Sequence, residues 1–404
     1  MTIPHRGWSP ETTGTINRLD AVRNRLASRY VGRDLPVRLL QLALISREHV
    51  LLLGDPGTAK TDLVLRFADL VNADKFAYML TRFTEPSEIF GSLDMAAFRN
   101  DSTYRIHTAG MLPRAQIAFL DEIFHGSSAI LNTLLTLINE RTFHNGSKSV
   151  AARLLTLIGA ANESPEDPIL RAFADRLLLR VELQPIATDH LGELLDRGWS
   201  QEIERLRETP PGRDEERLAT RREGAILDID EVVRLSGVLR DVDLTGVRGH
   251  YEDVIRELLA ANVTLSDRRV VRGWKLVAGA ALLRGAERAQ LSDFWPLMHF
   301  WTEQADVPVF AEVVQSRVEA DGGDPLERVE EVGTLLFRAD NAYRQTLERL
   351  NGGETSPHVL ERGLTELNRI RLDLHRFHPT ETDADGRLTR MMNSLLTRSD
   401  GDVG

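Results

Sequence analysis

The chain has 404 residues, 42% hydrophobic and 27% charged, an ordinary globular composition with enough length for two or three domains. Its formal net charge of −11 argues against a general nucleic-acid-binding surface, although a local basic lining is compatible with it. Cysteine is absent, which excludes disulfides, thiolate chemistry and zinc–thiolate sites.

The opening MTIPHRGWSPETTG lacks the apolar core of a signal peptide, and no apolar run approaches a membrane span, so a cytoplasmic location is expected. Residues 15–45 carry two helical patterns broken at Val31-Gly32. EHVLLLG (48–54) reads as a buried strand ending in glycine, and DLVLRFADLV (62–71) has helical spacing. Further buried runs are AQIAFLDE (115–122) and RLLTLIGAAN (153–162), with AILNTLLTLINERTF (129–143) the clearest helix between them. Strands alternating with helices predict an α/β layer structure around a mainly parallel sheet. After about residue 188 the pattern turns helical, with a polar interruption near 205–225. Helical periodicity returns at 250–290, and LSDFWPLMHFW (291–301) is an aromatic-rich packing segment. The rest reads as mostly helical, with a loop at NGGETSP (351–357).

Gly54-Asp55-Pro56-Gly57-Thr58-Ala59-Lys60-Thr61 sits between the first strand and its helix, the context of a phosphate-binding loop. Backbone N–H groups at a helix start hold phosphate oxygens, Lys60 reaches the outer phosphates, and Thr61 offers a hydroxyl to Mg²⁺. Ala59 stands where the pattern asks for glycine. A negative φ is expected there, at the opening of the helix, with room for the methyl. The plain alternative is a β-turn-α loop with a surface lysine. Asp121 and Glu122, ending an apolar strand, suit the Mg²⁺ shell and the orientation of water. Asn162, ending another strand, has an amide able to sense the outer phosphate or the attacking water. An asparagine at a strand end is common, so this feature is weak by itself.

Together these motifs resemble the AAA+ ATPases, within them the MoxR family, and most of all its RavA branch. The resembling segments include YVGRD, LLLGDPGTAKT, TRFTEPSEIFGSLDMAAF, AQIAFLDEIFHGSSAILNTLLTLINERTFHNG, LLTLIGAANESPE, AFADRLLLRV and LSDRRVVRGWKLV, over roughly residues 30–300. The resemblance implies an AAA+ αβα core with a parallel sheet at 1–188, an all-helical lid at 189–300, and a mostly helical accessory region at 301–404. It implies that Val31 and Gly32 rest against adenine, and that Asp62 belongs with the phosphate loop. Asn162 resembles the first sensor, Arg176 an arginine finger reaching a neighbouring subunit, and Arg268 the second sensor, with Arg269 its rival. PSEIFGSLDMAAFRNDSTYRIHTAGMLP resembles an insert within the second helix. FHNGSKSV reads as a hairpin around Asn145-Gly146, from its own residues as well.

The implied function is Mg²⁺-dependent ATP hydrolysis driving remodelling or chaperone-like action on a protein, in a hexameric ring. Rotation of the lid against the core would transmit the nucleotide state. A von Willebrand A-type partner is implied by the family, and the client is not named by any residue. Two alternatives are a nucleic-acid motor, disfavoured by the acidic balance, and a nucleotide switch with little turnover, disfavoured by intact Lys60, Asp121 and Glu122.

Overall fold

The computed structural model describes residues 8–146, 148–165, 167–183, 191–208, 224–320, 332–351, parts of 359–374, and 382–399. Most of the polar interruption near 205–225, the loop at 352–358 and His5 lie outside the described residues.

The chain divides into two compact units, residues 1–326 and 327–404. The first is built on a parallel sheet of five strands in the order β2-β3-β6-β1-β7. These are β1 (Val50–Leu53), β2 (Lys75–Met79), β3 (Ile117–Asp121), β6 (Thr156–Ala161) and β7 (Leu179–Glu182). Every residue of β1 and β6 is buried, as central strands covered on both faces require. The edge strands β2 and β7 are legible only afterwards. β2 buries only Phe76 of its five residues, and β7 spans four, so neither forms a long apolar run.

Helix α1 (Pro10–Ala27) starts at Ser9, whose hydroxyl accepts from Thr12 N, and has Pro10 in its first turn. Helix α2 (Asp34–Ser46) follows the break at Val31-Gly32, where Gly32 takes a φ of +64°. Helix α3 (Lys60–Leu70) leaves the loop after β1. The segment before β3 holds two short helices, α4 (Pro86–Phe90) and α5 (Met95–Asp101), and a single bridge between Leu93 and Ile106. Helix α6 (Ser128–Glu140) leads into the expected hairpin, β4 (Thr142–Asn145) paired antiparallel with β5 (Lys148–Ala151). The Asn145 side chain spans both backbone groups of Ile106, at 2.6 Å from N and 3.1 Å from O, fastening the hairpin to the insert. Helix α7 (Pro168–Ala174) is capped by the Asp167 carboxylate.

Beyond β7 every described element is helical. The helix at Asp267–Leu283 packs on α2 through Gly279, where an added Cβ would lie 2.6 Å from Leu42 and Ser46 side-chain atoms. The aromatic-rich segment is a 3₁₀ run, Leu291–His299, and Phe294, Trp295, Phe300 and Trp301 are buried. Helix Val307–Ala320 buries Phe310 and Val314, with Phe310 edge-on to Phe300 at 6.3 Å. This helix belongs to the first unit.

The second unit contains helices Val332–Asn351 and Thr382–Ser399 around a core of Ala339, Leu367, Ile370, Leu374, Leu388 and Leu395. The Tyr343 and Ser394 hydroxyls meet at 2.9 Å, and Arg371 pairs with Asp385 at 2.6 Å.

Candidate active site

The parallel sheet brings the ends of β1, β3 and β6 to one edge, and the predicted phosphate-site residues gather there. Gly54 follows β1 with a φ of +139°, and a Cβ on it would stand 2.4 Å from the Leu183 carbonyl oxygen. Only glycine fits where the two backbone segments approach so closely. Gly57 has a φ of +85° and faces open space. Thr58 Oγ1 donates to the Asp55 carbonyl at 2.9 Å, closing the loop on itself. Lys60 is buried, and its ammonium donates to the carbonyls of Gly54 (2.5 Å) and Asp55 (3.1 Å). The cation is thus folded into the loop mouth.

Ala59 corrects the sequence reading. Its φ is +61° and ψ +25°, left-handed rather than negative. The position precedes the first helical residue and carries the turn that aims the loop's N–H groups, so its conformation is set by the loop and not by the helix. An L-residue is strained there by about 1–2 kcal/mol.

Val31 is buried beside Gly32, at the start of α2. Two contacts tie this element to the phosphate loop, and neither has a signature in the sequence. The Tyr30 hydroxyl donates to the Asp62 carboxylate, and an Arg33 amino group donates to the Thr58 carbonyl at 3.4 Å. Burial and the Asp62 carboxylate raise the Tyr30 pKa, so its hydroxyl stays a donor. Neither partner is close in sequence, and a tyrosine or arginine next to a glycine carries no periodic signal.

β6, which leads to Asn162, lies between β1 and β3. Thr61 Oγ1 stands 3.5 Å from Asp121 Oδ2, a separation suited to two oxygens sharing a cation's shell. Glu122, just past β3, takes a left-handed φ of +49°. Asn162 Nδ2 donates to Glu122 Oε1 at 3.2 Å, and His125 Nδ1 lies 3.6 Å from Glu122 Oε2. The carboxylate is thus held by Asn162, with His125 beside it, a residue that sequence reasoning missed. The donor set fits Mg²⁺ and a nucleotide: a glycine cradle at the start of an 11-residue helix, one lysine, one hydroxyl and a carboxylate pair.

The two arginines do not join this group. Glu48, before β1, marks the opposite edge of the sheet, about 13 Å away along the strand. Arg272 pairs with Glu48 at 3.0 Å, and Lys275 pairs with the same carboxylate. The first turns of helix Asp267–Leu283 therefore lie against that far edge. Arg268, one turn earlier, donates to Asn139 Oδ1 at 2.7 Å, near the end of α6. Arg269 is buried and bonded to Asp175 and to the carbonyls of Leu178, Phe300 and Trp301, so it staples structure together. Asp175 places its neighbour Arg176 at the same far edge. In this chain the Arg268 side chain is therefore engaged by Asn139 rather than by the phosphate-loop residues. The helix that carries it packs behind the sheet, because Glu48 draws Arg272 and Lys275 there. Arg141 likewise turns inward, to the carbonyls of Leu154 (2.7 Å) and Leu155 (3.1 Å). Arg171 pairs with Glu303 at 3.3 Å.

A family model described as the MoxR domain in the MoxR-vWA-beta-propeller ternary systems matches residues 17–219. An uncharacterized protein of Methanocaldococcus jannaschii is 32% identical over 301 residues, 74% of this chain and 74% of that one. Chaperone MoxR1 of Mycobacterium tuberculosis is 27% identical over 157 residues, 38% of this chain and 41% of the relative. A crystal structure of a proposed ATPase from Cytophaga hutchinsonii is 14% identical, with a TM-score of 0.59 over 76% of this chain and 96% of that one, which bears on the fold alone. With half its length matched by the domain model, the phosphate-loop edge in place and the AAA+ αβα architecture around it, the chain belongs to the MoxR family of AAA+ ATPases.

Proposed function

We propose that the chain hydrolyses ATP with Mg²⁺ and uses the cycle to remodel a protein partner in a chaperone-like manner. The observation that supports this best is the Glu122 carboxylate, held by Asn162 at the strand edge that also presents Lys60, Thr61 and Asp121. In this reading Asp55, Pro56, Gly57, Thr58, Ala59 and Asp62 form the nucleotide cradle, with Val31 and Gly32 at the base. Bound Mg²⁺ supplies charge neutralisation on the phosphates, beside Thr61 and Asp121. Glu122 polarises a water, and Asn162 fixes the carboxylate's orientation. Lys60 leaves its loop carbonyls to meet phosphate charge.

Arg176 and Arg268 share the edge opposite the loop, so both serve a neighbouring chain's site in a head-to-tail oligomer, for which a hexameric ring is the proposed form. The ties of Glu48 to Arg272 and Lys275 favour a lid that moves with its own core, rather than rotating against it. The nucleotide state is then passed across the boundary between subunits. A von Willebrand A-type partner is proposed from the systems that the matched model describes. The closer likeness to the RavA branch rests on the sequence words alone. The net charge of −11 weighs against a nucleic-acid motor.

The test is Glu122→Gln. It should retain ATP binding and lose turnover by a factor of about 10² or more. Turnover near the wild-type rate would reject Glu122 as the water-activating group.

A further inference from the structure

A cavity of about 190 Å³ lies among α7, β7 and the segment 302–305. Its wall includes Arg180, Ser164 and Thr302, and its mouth holds Arg171 and Glu303. Arg180 is 1% exposed, yet only its Nη1 has a partner, the Thr302 carbonyl. Its Nε and Nη2, which form the side-on fork of the guanidinium, make no hydrogen bond, and neither do the buried hydroxyls Ser164 Oγ and Thr302 Oγ1. Stacking on Trp301, at 5.6 Å from the ring centre, fixes the guanidinium plane. Buried polar groups left unpaired are costly, most of all on a cation. Burial and the neighbouring Arg269 pull the Arg180 pKa down to about 9, still charged at neutral pH.

An Arg fork with two hydroxyls beside it matches a tetrahedral oxyanion, whose several oxygens accept in parallel. A second cation, Arg171, waits at the mouth, where it is half exposed and paired with Glu303 at 3.3 Å. We propose that this cavity binds a small phosphate-class oxyanion at a site separate from the nucleotide loop. The separation follows from topology. α3 leads from β1 toward β2, and α7 leads from β6 across β1 to β7, in the opposite direction. Right-handed crossovers place the two helices on opposite faces of the sheet, Lys60 with one and the cavity with the other. The site also has a route to the chemistry. Ser164 is two residues beyond Asn162, and α7, capped at Asp167, ends beside Arg176.

The experiment is calorimetric titration of inorganic phosphate into the nucleotide-free full chain carrying Lys60→Ala, which disables the loop. One saturable site is expected, weakened roughly tenfold or more by adding either Arg180→Met or the pair Ser164→Ala and Thr302→Val. Phosphate should raise the Tm of the Lys60→Ala chain and not that of its Arg180→Met derivative. The same titration with glycerol phosphate tells a free ion from a phosphate ester, and binding of either that depends on Arg180 sustains the assignment. Absence of binding to the Lys60→Ala chain, or binding unchanged by both sets of substitutions, overturns it.

Discussion

Ala59→Gly is the sharpest test of how the phosphate loop is built. With φ +61° and ψ +25°, Ala59 is a Cβ-bearing residue in the left-handed region. That conformation costs about 1–2 kcal/mol, and glycine removes the cost. Glycine also gives the unfolded chain more freedom, which offsets about 0.4–1 kcal/mol. The net expectation is a gain of ~0.5–1 kcal/mol, or about 1–3 °C in the melting temperature of a unit this size. Ala59→Val should move the other way by more than 1 kcal/mol, because branching at Cβ makes the left-handed well worse. Urea unfolding of the full chain, followed by circular dichroism with and without an ATP analogue, reads both. A destabilised Ala59→Gly, or an Ala59→Val as stable as the parent, would refute the claim that the loop holds this residue left-handed.

Two further outcomes follow from buried charge. Glu48→Gln removes the anion facing Arg272 and Lys275; its side chain is 2% exposed while theirs are 23% and 39% exposed. The stranded cations keep part of their hydration, so the loss should be ~2 kcal/mol rather than the 3–5 of a fully buried pair, measured by urea unfolding. Stability should also fall below pH 6.5. Burial depresses His49 well below 6.5 and His299 to about 4, so the unfolded chain binds more protons in that window. The histidine contribution is whole above pH 6.5 and is lost as pH drops toward 4, and a pH series of Tm values checks it.

What the sequence made legible was what local chemistry dictates. The strand–glycine–helix order and the acid pair at the end of an apolar strand each lie within a dozen residues, and the sheet brings them together as read. The Asn145-Gly146 turn was equally local, and a Cβ on Gly146 would stand 1.9 Å from the Tyr104 carbonyl oxygen. The sequence could not show partnerships set by tertiary packing. Arg268 and Arg269 are adjacent and chemically alike, and only Asp175 and the carbonyls around it decide that Arg269 is the buried one. Tyr30 with Asp62, and Arg33 with Thr58, join segments about thirty residues apart without any pattern linking them. The weak strands were missed because an edge strand needs no continuous apolar run.

The position of Arg268 has a consequence that two inactive variants can expose. If the residue served its own chain's nucleotide, mixing Lys60→Ala with Arg268→Ala would restore nothing, since each chain would carry its own defect in its own site. The arrangement proposed above differs: the loop is at one edge of the sheet, and Arg268, bonded to Asn139, lies toward the other with Arg176. In a head-to-tail assembly an Arg268→Ala chain, with its loop intact, can receive the arginine of a Lys60→Ala neighbour. At equal mixing about a quarter of the interfaces combine a good loop with a good arginine, so ATPase activity should recover toward roughly a quarter of wild type. Recovery requires subunit exchange, which labelled chains report independently. Exchange without recovery would return Arg268 to a role within its own chain and would require the helix at 267–283 to leave Glu48 during the cycle.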